Sequence, residues 1–339
     1  MRAVWITRYG PPEVLEVRES PDPCPREHQV RIRVRAAGLN FAEIMARQGL
    51  YPDAPKPPCV VGYEVSGEVD ARGAGAGDFQ EGDRVVAFTH FGGHADTVVV
   101  PQDQVRAIPH MMSFEMAAAL PVNYITAQHM IYRIACVRPG ESVLVHMAAG
   151  GVGTAALQLM RSISGLTIFG TASEAKHDYV RAQGCTHPID YRHADYFKQV
   201  LELTRGRGVD VVLDPLGGRD WKKGYQLLAP GGRLIAFGFA NMAKGSQRRV
   251  YHVMRQWLSV PRFSPLKLMD DNRSIAGVNM GHLWESKDTL SGQVDELISL
   301  YAAGRIEPRI DSTFRFEDAV LSHRRMESRN SMGKILLVP

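Results

Sequence analysis

The chain has few cysteines and no long apolar run, and both absences narrow its class. Its 339 residues include four cysteines, with no Cys-x-x-Cys pair and no His-Glu-x-x-His motif, so neither a disulfide framework nor a common zinc site is indicated. No apolar run reaches the roughly 20 residues of a membrane-spanning helix. The N-terminus is typical of a first strand and not of a signal peptide. We therefore expect a cytoplasmic protein without integral membrane insertion.

The chain also lacks a strong charge of one sign. Its formal net charge is +4, with 45% hydrophobic and 22% charged residues. The basic residues are not concentrated in one dominant block, so no nucleic-acid partner is indicated. The composition is that of a folded protein, and the length allows two domains of ordinary size.

The first third is rich in short strand patterns separated by glycine-rich turns. Residues 30–35 alternate apolar and charged side chains, and similar runs cover 63–69, 84–88 and 97–100. This pattern predicts a β-barrel-like domain to about residue 120. From Ser113 helices are predicted, and beyond 142 strands and helices alternate to about 237, with a final strand in 274–280. Such alternation predicts a parallel sheet covered by helices on both faces, so the fold class is α/β.

A strand that ends in glycines and opens a helix is the most informative stretch. Residues 142–145 are a short strand pattern, Ala-Ala-Gly-Gly-Val-Gly follows at 148–153, and a helical pattern continues from Thr154. Backbone N–H groups at a helix N-terminus can hold a diphosphate if no side chain blocks the approach. Ala148 stands where the usual Gly-x-Gly-x-x-Gly motif has its first glycine, and a plain strand-to-helix turn is the alternative.

The end of the next strand favours NADPH over NADH. The strand ends in Gly170-Thr171-Ala172-Ser173-Glu174-Ala175-Lys176, without a carboxylate at its tip. A hydroxyl and a cation at Ser173 and Lys176 suit a 2′-phosphate, whereas NAD would need an Asp or Glu. The alternative makes Ser173 a helix N-cap and Lys176 a solvated side chain. Glu174 would repel the phosphate if it turned inward.

Several motifs together resemble one enzyme superfamily over the full length. They include the β-rich N-terminal region, the glycine motif, Asp214-Pro-Leu-Gly-Gly218, Gly-Leu-Asn-Phe-Ala-Glu at 38–43 and Gly-Leu-Tyr-Pro at 49–52. With these, the chain resembles the medium-chain dehydrogenase/reductase superfamily and its zinc-independent quinone oxidoreductase branch. The stretches 121–127 and 264–269 look closest to the vesicle amine transport protein-like subgroup.

The resemblance implies an architecture and a cofactor site. It implies a GroES-like β-barrel domain from residues 1–121 and 281–339, a Rossmann doubly wound parallel-sheet domain from 122–280, and a homodimer. The resemblance also implies which residues would line NADPH: Asn40, Thr126, Gly150, Gly151, Val152, Ser173, Lys176, Tyr191, Phe237, Gly238, Phe239 and Asn330.

The resemblance also bears on metal and catalysis. Zinc-bearing relatives have a cysteine where this chain has Asn40 and a histidine where it has Tyr63, and neither replacement is a good zinc ligand. We therefore expect no metal. Without a Lewis acid, hydride addition to an activated C=C bond is easier than alcohol oxidation, because hydrogen-bond donors suffice for the carbonyl oxygen. Tyr51 and Tyr63 are the candidate catalytic hydrogen-bond donors, and Asn40 would lie beside the nicotinamide. The alternative is that both tyrosines only pack against other side chains at the cleft.

These observations predict an NADPH-dependent, zinc-independent reductase of quinones, enones or enoyl thioesters. A specific enoyl-CoA or enoyl-thioester reductase is one alternative, and a weakly catalytic nucleotide-binding protein that associates with lipid or membrane is another. The basic stretch 244–267 predicts an amphipathic surface helix with a basic wet face. That stretch could also bind the phosphates of a coenzyme A thioester or rest on an anionic membrane.

Overall fold

The computed structural model describes residues 1–246, 248–283 and 287–339, the side chains of 287–290 excepted. The chain forms two compact units. Unit 1 comprises residues 1–125, 245–248 and 280–339, and unit 2 comprises residues 126–244 and 249–279. Unit 1 is thus assembled from both ends of the chain, with unit 2 formed by the residues between them.

Unit 1 is built on two sheets. Its strands are β1 (Arg2–Ile6), β2 (Leu15–Glu19), β3 (Gln29–Leu39), β4 (Cys59–Val60), β5 (Glu64–Arg72), β6 (Arg84–Phe88), β7 (Thr97–Pro101) and β8 (Val105–Ala107), joined later in the chain by a pair, Ile310–Arg315 and Lys334–Val338. The small sheet has the order β2-β1-β4. The large sheet runs from the late pair through β3, β5 and β6 to β8, and β7 also pairs with β3.

Strand β3 shows why this sheet forms. Its side chains alternate, so that Val30, Ile32 and Val34 are buried in the core, whereas Arg31 and Arg33 lie on the other face and hold Asp70 at 2.8 and 2.7 Å. The predicted strands in this region are confirmed, with β5 and β3 longer than the pattern indicated.

The helices of the first part of the chain are short. They are α1 (Phe41–Arg47), α2 (Phe114–Ala119) and α3 (Pro121–Gln128), which continues as a π-helical turn (His129–Ile134). Ser113 caps α2 by accepting from the Met116 N–H at 3.2 Å.

Unit 2 contains a fully parallel sheet. Its strands are β9 (Ser142–Val145), β10 (Thr167–Ala172), β11 (His187–Asp190), β12 (Val209–Asp214), β13 (Leu228–Ala236) and β14 (Ser274–Gly277), in the order β11-β10-β9-β12-β13-β14. All five pairings are parallel, which confirms the predicted parallel sheet. In the sheet, β10 and β11 lie on one side of β9, and β12, β13 and β14 lie on the other side. The strand order therefore reverses at β9. Ligands of such sheets bind at the carboxyl ends beside this reversal.

The helices of unit 2 connect these strands. They are α4 (Gly151–Met160), α5 (His177–Gln183), α6 (Tyr196–Leu203), α7 (Arg219–Leu227), α8 (Val250–Leu258) and α9 (Pro265–Asp271). Three further elements complete unit 1, namely α10 (Lys287–Ala302), β15 (Ile310–Arg315) and α11 (Ala319–Glu327), before β16 (Lys334–Val338) pairs antiparallel with β3.

The predicted surface helix with a basic wet face is wrong in two respects. The stretch forms two helices, α8 and α9, and the outward face of α8 is apolar. His252 donates from Nε2 to the Asn241 carbonyl at 2.7 Å, and Gln256 and Ser259 lie against Gly218, so a polar side of α8 packs on unit 2. Sequence alternation alone did not reveal which side of the helix would be covered.

Among the described residues, no helix is both long and apolar enough to cross a membrane.

Candidate functional site

The backbone of the loop between β9 and α4 lies close to the N-terminus of α4. Gly150 is the N-cap of α4, with extended backbone at φ −77° and ψ 175°. A Cβ on Gly153 would lie 2.4 Å from the Met147 carbonyl oxygen and 2.7 Å from the Ala148 Cα. Those contacts are with backbone, which has no easy way to yield, so the helix can approach the loop only with glycine at 153.

The first N–H groups of α4 lack partners inside the helix, as in any α-helix, and carry a partial positive charge. Gly150 and Gly151 place no side chain over them. The replacement of the motif's first glycine is accommodated, because Ala148 is fully buried and its N–H donates to the Thr171 carbonyl at 3.0 Å. This helix end therefore fits an anionic diphosphate group.

The carboxyl end of β10 carries the residues predicted to select the cofactor. Ser173 is buried and is the N-cap of the short 3₁₀ turn Glu174–Lys176, although its side chain makes no capping hydrogen bond. Lys176 is half-buried, and Glu174 is exposed. Tyr191 lies just beyond β11 and is 39% exposed. Because β9, β10 and β11 are parallel neighbours, these groups share the sheet edge that carries the α4 N-terminus.

Buried polar groups lie at the ends of β9 and β12. His146 contacts the Thr171 hydroxyl through Nδ1 at 3.2 Å, and Asp214 Oδ1 accepts from the Leu216 and Gly217 N–H groups at 2.5 and 3.1 Å. Burial lowers the pKa of His146 and raises the pKa of Asp214. Their other polar atoms, His146 Nε2 and Asp214 Oδ2, have no partner.

The end of β13 lies beside the same edge. The Phe237 N–H donates to the Asp214 carbonyl at 3.1 Å, and Gly238 is exposed. Phe239 packs on the Trp221 ring at a centroid distance of 5.1 Å and fills the space beside Gly217. The sheet thus collects the predicted residues 150–152, Ser173, Lys176, Tyr191 and 237–239 along one edge of unit 2. Thr126, also in unit 2, is buried in α3.

Unit 1 brings the two predicted tyrosines together. The rings of Tyr51 and Tyr63 meet edge to face at 6.4 Å, and Phe91 packs on Tyr63 at 5.2 Å. The Tyr63 hydroxyl is buried without a hydrogen bond of normal geometry. Burial raises the pKa of both tyrosines, and nearby Glu43 adds to the effect, so both hydroxyls keep their protons at neutral pH.

Asn40 is the centre of a buried hydrogen-bond network in unit 1. Its Oδ1 accepts from Lys334 Nζ at 2.6 Å, and its Nδ2 donates to Glu43 at 3.3 Å and to Glu64 at 3.1 Å. Lys334 also donates to Glu64, which accepts from the Val122 N–H at 2.7 Å. Both amide hydrogens of Asn40 are therefore engaged inside the protein.

Close packing and burial fix the charges of this network. Glu43 and Glu64 are fully buried and Lys334 is 3% exposed. A Cβ on Gly38 would lie 2.4 Å from Glu64 Oε1, so glycine at that position makes room for the carboxylate. Burial raises the pKa of Glu43 to about 8 despite the nearby Lys334 ammonium. Burial also lowers the pKa of His94, whose Nε2 donates to the Gly38 carbonyl, to about 4.

The donor set at this place does not fit zinc. Asn40 and Tyr63 offer an amide and a protonated phenol, and the Lys334 ammonium is already bound to Glu64. Across residues 1–246, 248–283 and 287–339, no three His, Cys, Asp or Glu side chains are grouped so that they could hold a metal ion.

The sequence interpretation missed Glu43, Glu64 and Lys334. Asn40 followed by Glu43 is the pattern of a capping box, and the Glu43 carboxylate does accept from the Asn40 N–H at 2.7 Å. That pattern could have indicated Glu43. Asn330, predicted to complete the cofactor site, is exposed in unit 1, where its N–H donates to the Ser328 hydroxyl at 3.3 Å.

Two family models match the chain, in agreement with the fold. The alcohol dehydrogenase GroES-like domain model matches residues 26–110, and the zinc-binding dehydrogenase model matches residues 183–337. The predicted combination of a GroES-like domain with a parallel-sheet Rossmann domain is confirmed.

Individual relatives cover the whole chain. The synaptic vesicle membrane protein VAT-1 homolog of Rattus norvegicus is 43% identical over 100% of this chain and 84% of its own length. A quinone oxidoreductase of Pseudomonas aeruginosa is 33% identical over 100% of this chain and 99% of its own. The solved structure of Escherichia coli quinone oxidoreductase complexed with NADPH is 28% identical, covers 100% of both chains and has a TM-score of 0.88. The chain belongs to the medium-chain dehydrogenase/reductase superfamily, close to the VAT-1 homologues and the quinone oxidoreductases.

Proposed function

We propose that the protein is an NADPH-dependent, zinc-independent reductase of α,β-unsaturated carbonyl compounds. The observation that carries the proposal is the edge of the parallel sheet in unit 2, where the open N-terminus of α4 lies beside the end of β10, which is followed by Ser173 and Lys176. The relatives named quinone oxidoreductase, one of them complexed with NADPH, support it.

Different residues of the chain would bind different parts of the cofactor. The N–H groups at Gly151 and Val152 would hold the diphosphate, aided by the helix dipole. Ser173 and Lys176 would hold the 2′-phosphate by a hydroxyl and an ammonium group. Tyr191 and residues 237–239 would bound the remaining surface of the cofactor, with Thr126 and Asn330 as further predicted contacts.

When bound, NADPH would supply a hydride to the β-carbon of the acceptor. The chain must then stabilise the negative charge that develops on the carbonyl oxygen, and neutral hydroxyl groups aimed at that oxygen do so without a metal. Tyr51 and Tyr63 keep their protons at neutral pH, so both can serve as donors. Tyr51, the less buried of the two, is the residue we assign to contact substrate.

Asn40 receives a positioning role. Its two amide hydrogens are directed at Glu43 and Glu64, so none is left to donate to a cofactor. It fixes the start of α1 next to the start of β5, which Tyr63 directly precedes. We propose that its substitution acts through the tyrosines and leaves the affinity for NADPH less changed than the turnover.

NADPH consumption with a quinone, a small enone and an enoyl-CoA tests the proposal. Lys176→Ala should raise the KM for NADPH about tenfold to a hundredfold, the range for a lost hydrogen bond to a charged group, while the KM for NADH stays unchanged. Lys198→Ala, on the exposed side of α6, is the matched control. NADPH binding without turnover of any acceptor would exclude the reductase.

The enoyl-thioester alternative rests on a cavity of about 730 Å³ in unit 2. Arg219, Lys222, Lys223 and Arg255 line it, beside apolar side chains of α8. Such a cluster of cations suits phosphate groups. If coenzyme A thioesters are the substrates, Lys222→Ala combined with Arg255→Ala should raise the KM for enoyl-CoA and leave the KM for a thioester without the nucleotide unchanged.

A second candidate function, association with an anionic membrane surface, is favoured by the outward face of α8. Val250, Tyr251, Met254, Trp257 and Leu258 recur at helical spacing and are each more than half exposed. Arg255 and the basic residues of the cavity flank this face. An apolar face rimmed by cations is the arrangement of a helix that lies in a lipid interface.

Flotation with lipid vesicles tests this candidate. Vesicles containing phosphatidylserine should carry the protein at low salt, and vesicles of phosphatidylcholine alone should carry less, because each basic residue near an anionic surface adds about 1 kcal/mol. Replacing both Trp257 and Leu258 by serine should abolish flotation. Flotation that is equal on both vesicles would contradict the electrostatic part of the proposal.

A further inference from the structure

Strand β11 places a carboxylate beside the residues that are proposed to select the cofactor. Asp190, the last residue of β11, pairs in register with Ala172, the last residue of β10. Neighbouring strands lie about 4.8 Å apart, so Asp190 is next to the strand end from which Ser173 and Lys176 follow. Nothing in the sequence of β10 indicates this carboxylate, because it comes from the neighbouring strand. A carboxylate at this edge suits the ribose of NADH and repels a 2′-phosphate.

The loop that follows β11 engages both oxygens of this carboxylate. Oδ1 of Asp190 accepts from the Arg192 N–H at 3.0 Å, and Oδ2 lies 2.5 Å from Nδ1 of His193. An ionised carboxylate can only accept, so Nδ1 of His193 carries the hydrogen. The Ala194 N–H donates to the Asp190 carbonyl at 3.0 Å and closes the turn. The carboxylate is thus directed at its own loop.

The two members of this pair differ in exposure. The Asp190 side chain is 13% exposed, whereas the His193 side chain is 78% exposed. The hydrogen bond from His193 holds the pKa of Asp190 below its ordinary value of 3.8, and the Arg192 N–H adds to the effect. Asp190 is therefore ionised at neutral pH, and a protonated His193 is the cation that balances its charge.

We propose that the pair of Asp190 and His193 determines the preference of the protein for NADPH over NADH. His193 holds the Asp190 carboxylate in the loop, away from the ribose hydroxyls that it would bind in NADH. When protonated, His193 also offsets the charge that would repel a 2′-phosphate. This inference rests on the proposed function, since it concerns the same cofactor site. His193 acts through Asp190 and is a positioning residue.

The charge of Asp190 can act over the distance involved. The Debye length is about 8 Å at physiological salt, which is longer than the spacing of two strands. Ser173 directly follows Ala172, the residue that pairs with Asp190. Without His193, an uncompensated negative charge would lie beside the groups that are proposed to hold the 2′-phosphate.

The same turn contains Tyr191, a predicted cofactor contact. Tyr191 lies between Asp190 and the two residues that bind its carboxylate, so the pair also fixes the backbone there. A displaced Tyr191 would weaken the binding of both cofactors alike, because NADPH and NADH differ only in the 2′-phosphate. The ratio of the two affinities therefore reports the charge of Asp190 and not the shape of the turn.

His193→Ala tests the proposal through the dissociation constants of NADPH and NADH, measured by nucleotide fluorescence. The ratio of the NADH constant to the NADPH constant should fall about threefold to tenfold, because the carboxylate is released at the site. Adding Asp190→Asn should return the ratio to at least the wild-type value, since the amide has no charge and keeps an oxygen for the Arg192 N–H. His193→Lys keeps a cation and should stay close to the wild type.

Arg207→Ala is the matched control. Arg207 and Asp210 form an ion pair of the same sequence spacing, and the Asp210 side chain is also 13% exposed. This pair lies at the amino end of β12, on the opposite edge of the parallel sheet from the proposed cofactor site. The ratio of the two dissociation constants should therefore not change.

The outcomes separate this inference from the proposed function. A wild type that binds no NADPH, or that binds NADH equally well, overturns the proposed NADPH dependence itself. A wild type that prefers NADPH, together with an unchanged ratio in His193→Ala, overturns the role of the pair and leaves the reductase standing. A lowered ratio that Asp190→Asn does not restore overturns it as well, because the charge of Asp190 is then not the cause. Thermal unfolding of each variant shows that it is folded.

Discussion

Lys334 shows at the scale of single residues how a buried charge is tolerated. Lysine is almost never fully buried unless it is paired, and here the ammonium group has two acceptors from distant parts of the sequence. Such a pair is weak evidence of net stabilisation, because the ions lose their water. Removing one partner, however, leaves a buried charge without compensation.

We therefore expect Lys334→Met to lower the free energy of unfolding by about 3 to 5 kcal/mol. Combining it with Glu64→Gln should recover part of that loss, because no charge is then left unpaired. Denaturant unfolding of the single and double variants measures both effects. The exposed pair of Arg35 on β3 and Glu68 on β5 is the control, and Arg35→Met should cost at most about 1 kcal/mol. Equal costs at both places would contradict the prediction.

The raised pKa of Glu43 also predicts how stability depends on pH. The folded protein holds this proton up to about pH 8, whereas the unfolded chain releases it near the ordinary value of 4.5. The contribution to stability is therefore full below the unfolded pKa and is lost as pH rises through the folded pKa. His94 acts in the opposite direction, but only below its ordinary value of 6.5.

Between about pH 7 and pH 8, the free energy of unfolding should fall for the wild type and fall less for Glu43→Gln. Unfolding curves at several pH values in this range measure the difference. Parallel curves for the two proteins would show that Glu43 binds no proton in the folded state.

At the scale of elements, α4 illustrates a helix whose position depends on one missing side chain. Gly153→Ala should displace the helix from the β9 loop, because the new Cβ would overlap backbone atoms of Met147 and Ala148. We expect lower stability and at least a tenfold weaker affinity for NADPH, measured by nucleotide fluorescence. Gly292→Ala in α10 is the matched control, because its Cβ meets open space and alanine stabilises a helix by about 0.5 to 1 kcal/mol.

Helix α8 illustrates the opposite case, an element whose apolar side chains add little to the folding of the isolated chain. Trp257 is 69% exposed, so Trp257→Gln should change the free energy of unfolding by no more than about 0.5 kcal/mol. Trp221 packs on Phe239 and on the core of unit 2, so Trp221→Gln should lower the free energy of unfolding by about 2 kcal/mol or more. Thermal unfolding of both variants compares them directly.

At the scale of the whole molecule, local patterns predicted most elements and few of the contacts that matter for chemistry. Alternation at residues 30–35 and the glycines at 150–153 identified β3 and the start of α4, because those patterns arise from local geometry. Lys334 and Glu64 are 270 positions apart, and no local pattern reports such a contact. The exposure of the apolar face of α8 was not predicted, because periodicity reveals an apolar face without revealing whether other residues cover it.

The predicted homodimer stays a prediction. Strand β14 lies at the edge of the parallel sheet, with Ser274 and Gly277 exposed, and so offers backbone groups for pairing. Sedimentation of the protein at two concentrations would measure the oligomeric state.

The pairing of β16 with β3 has a consequence for synthesis on the ribosome. Unit 2 is complete once residue 279 has emerged, whereas the large sheet of unit 1 waits for residues 334–338. During that interval the end of β3 that pairs with β16, residues 37–39, is open, and Glu64 is without its ammonium partner. A nascent chain stalled before residue 334 should therefore contain a protease-resistant unit 2 and an incompletely folded unit 1. The N-terminal part of unit 1 is then the segment most in need of a chaperone.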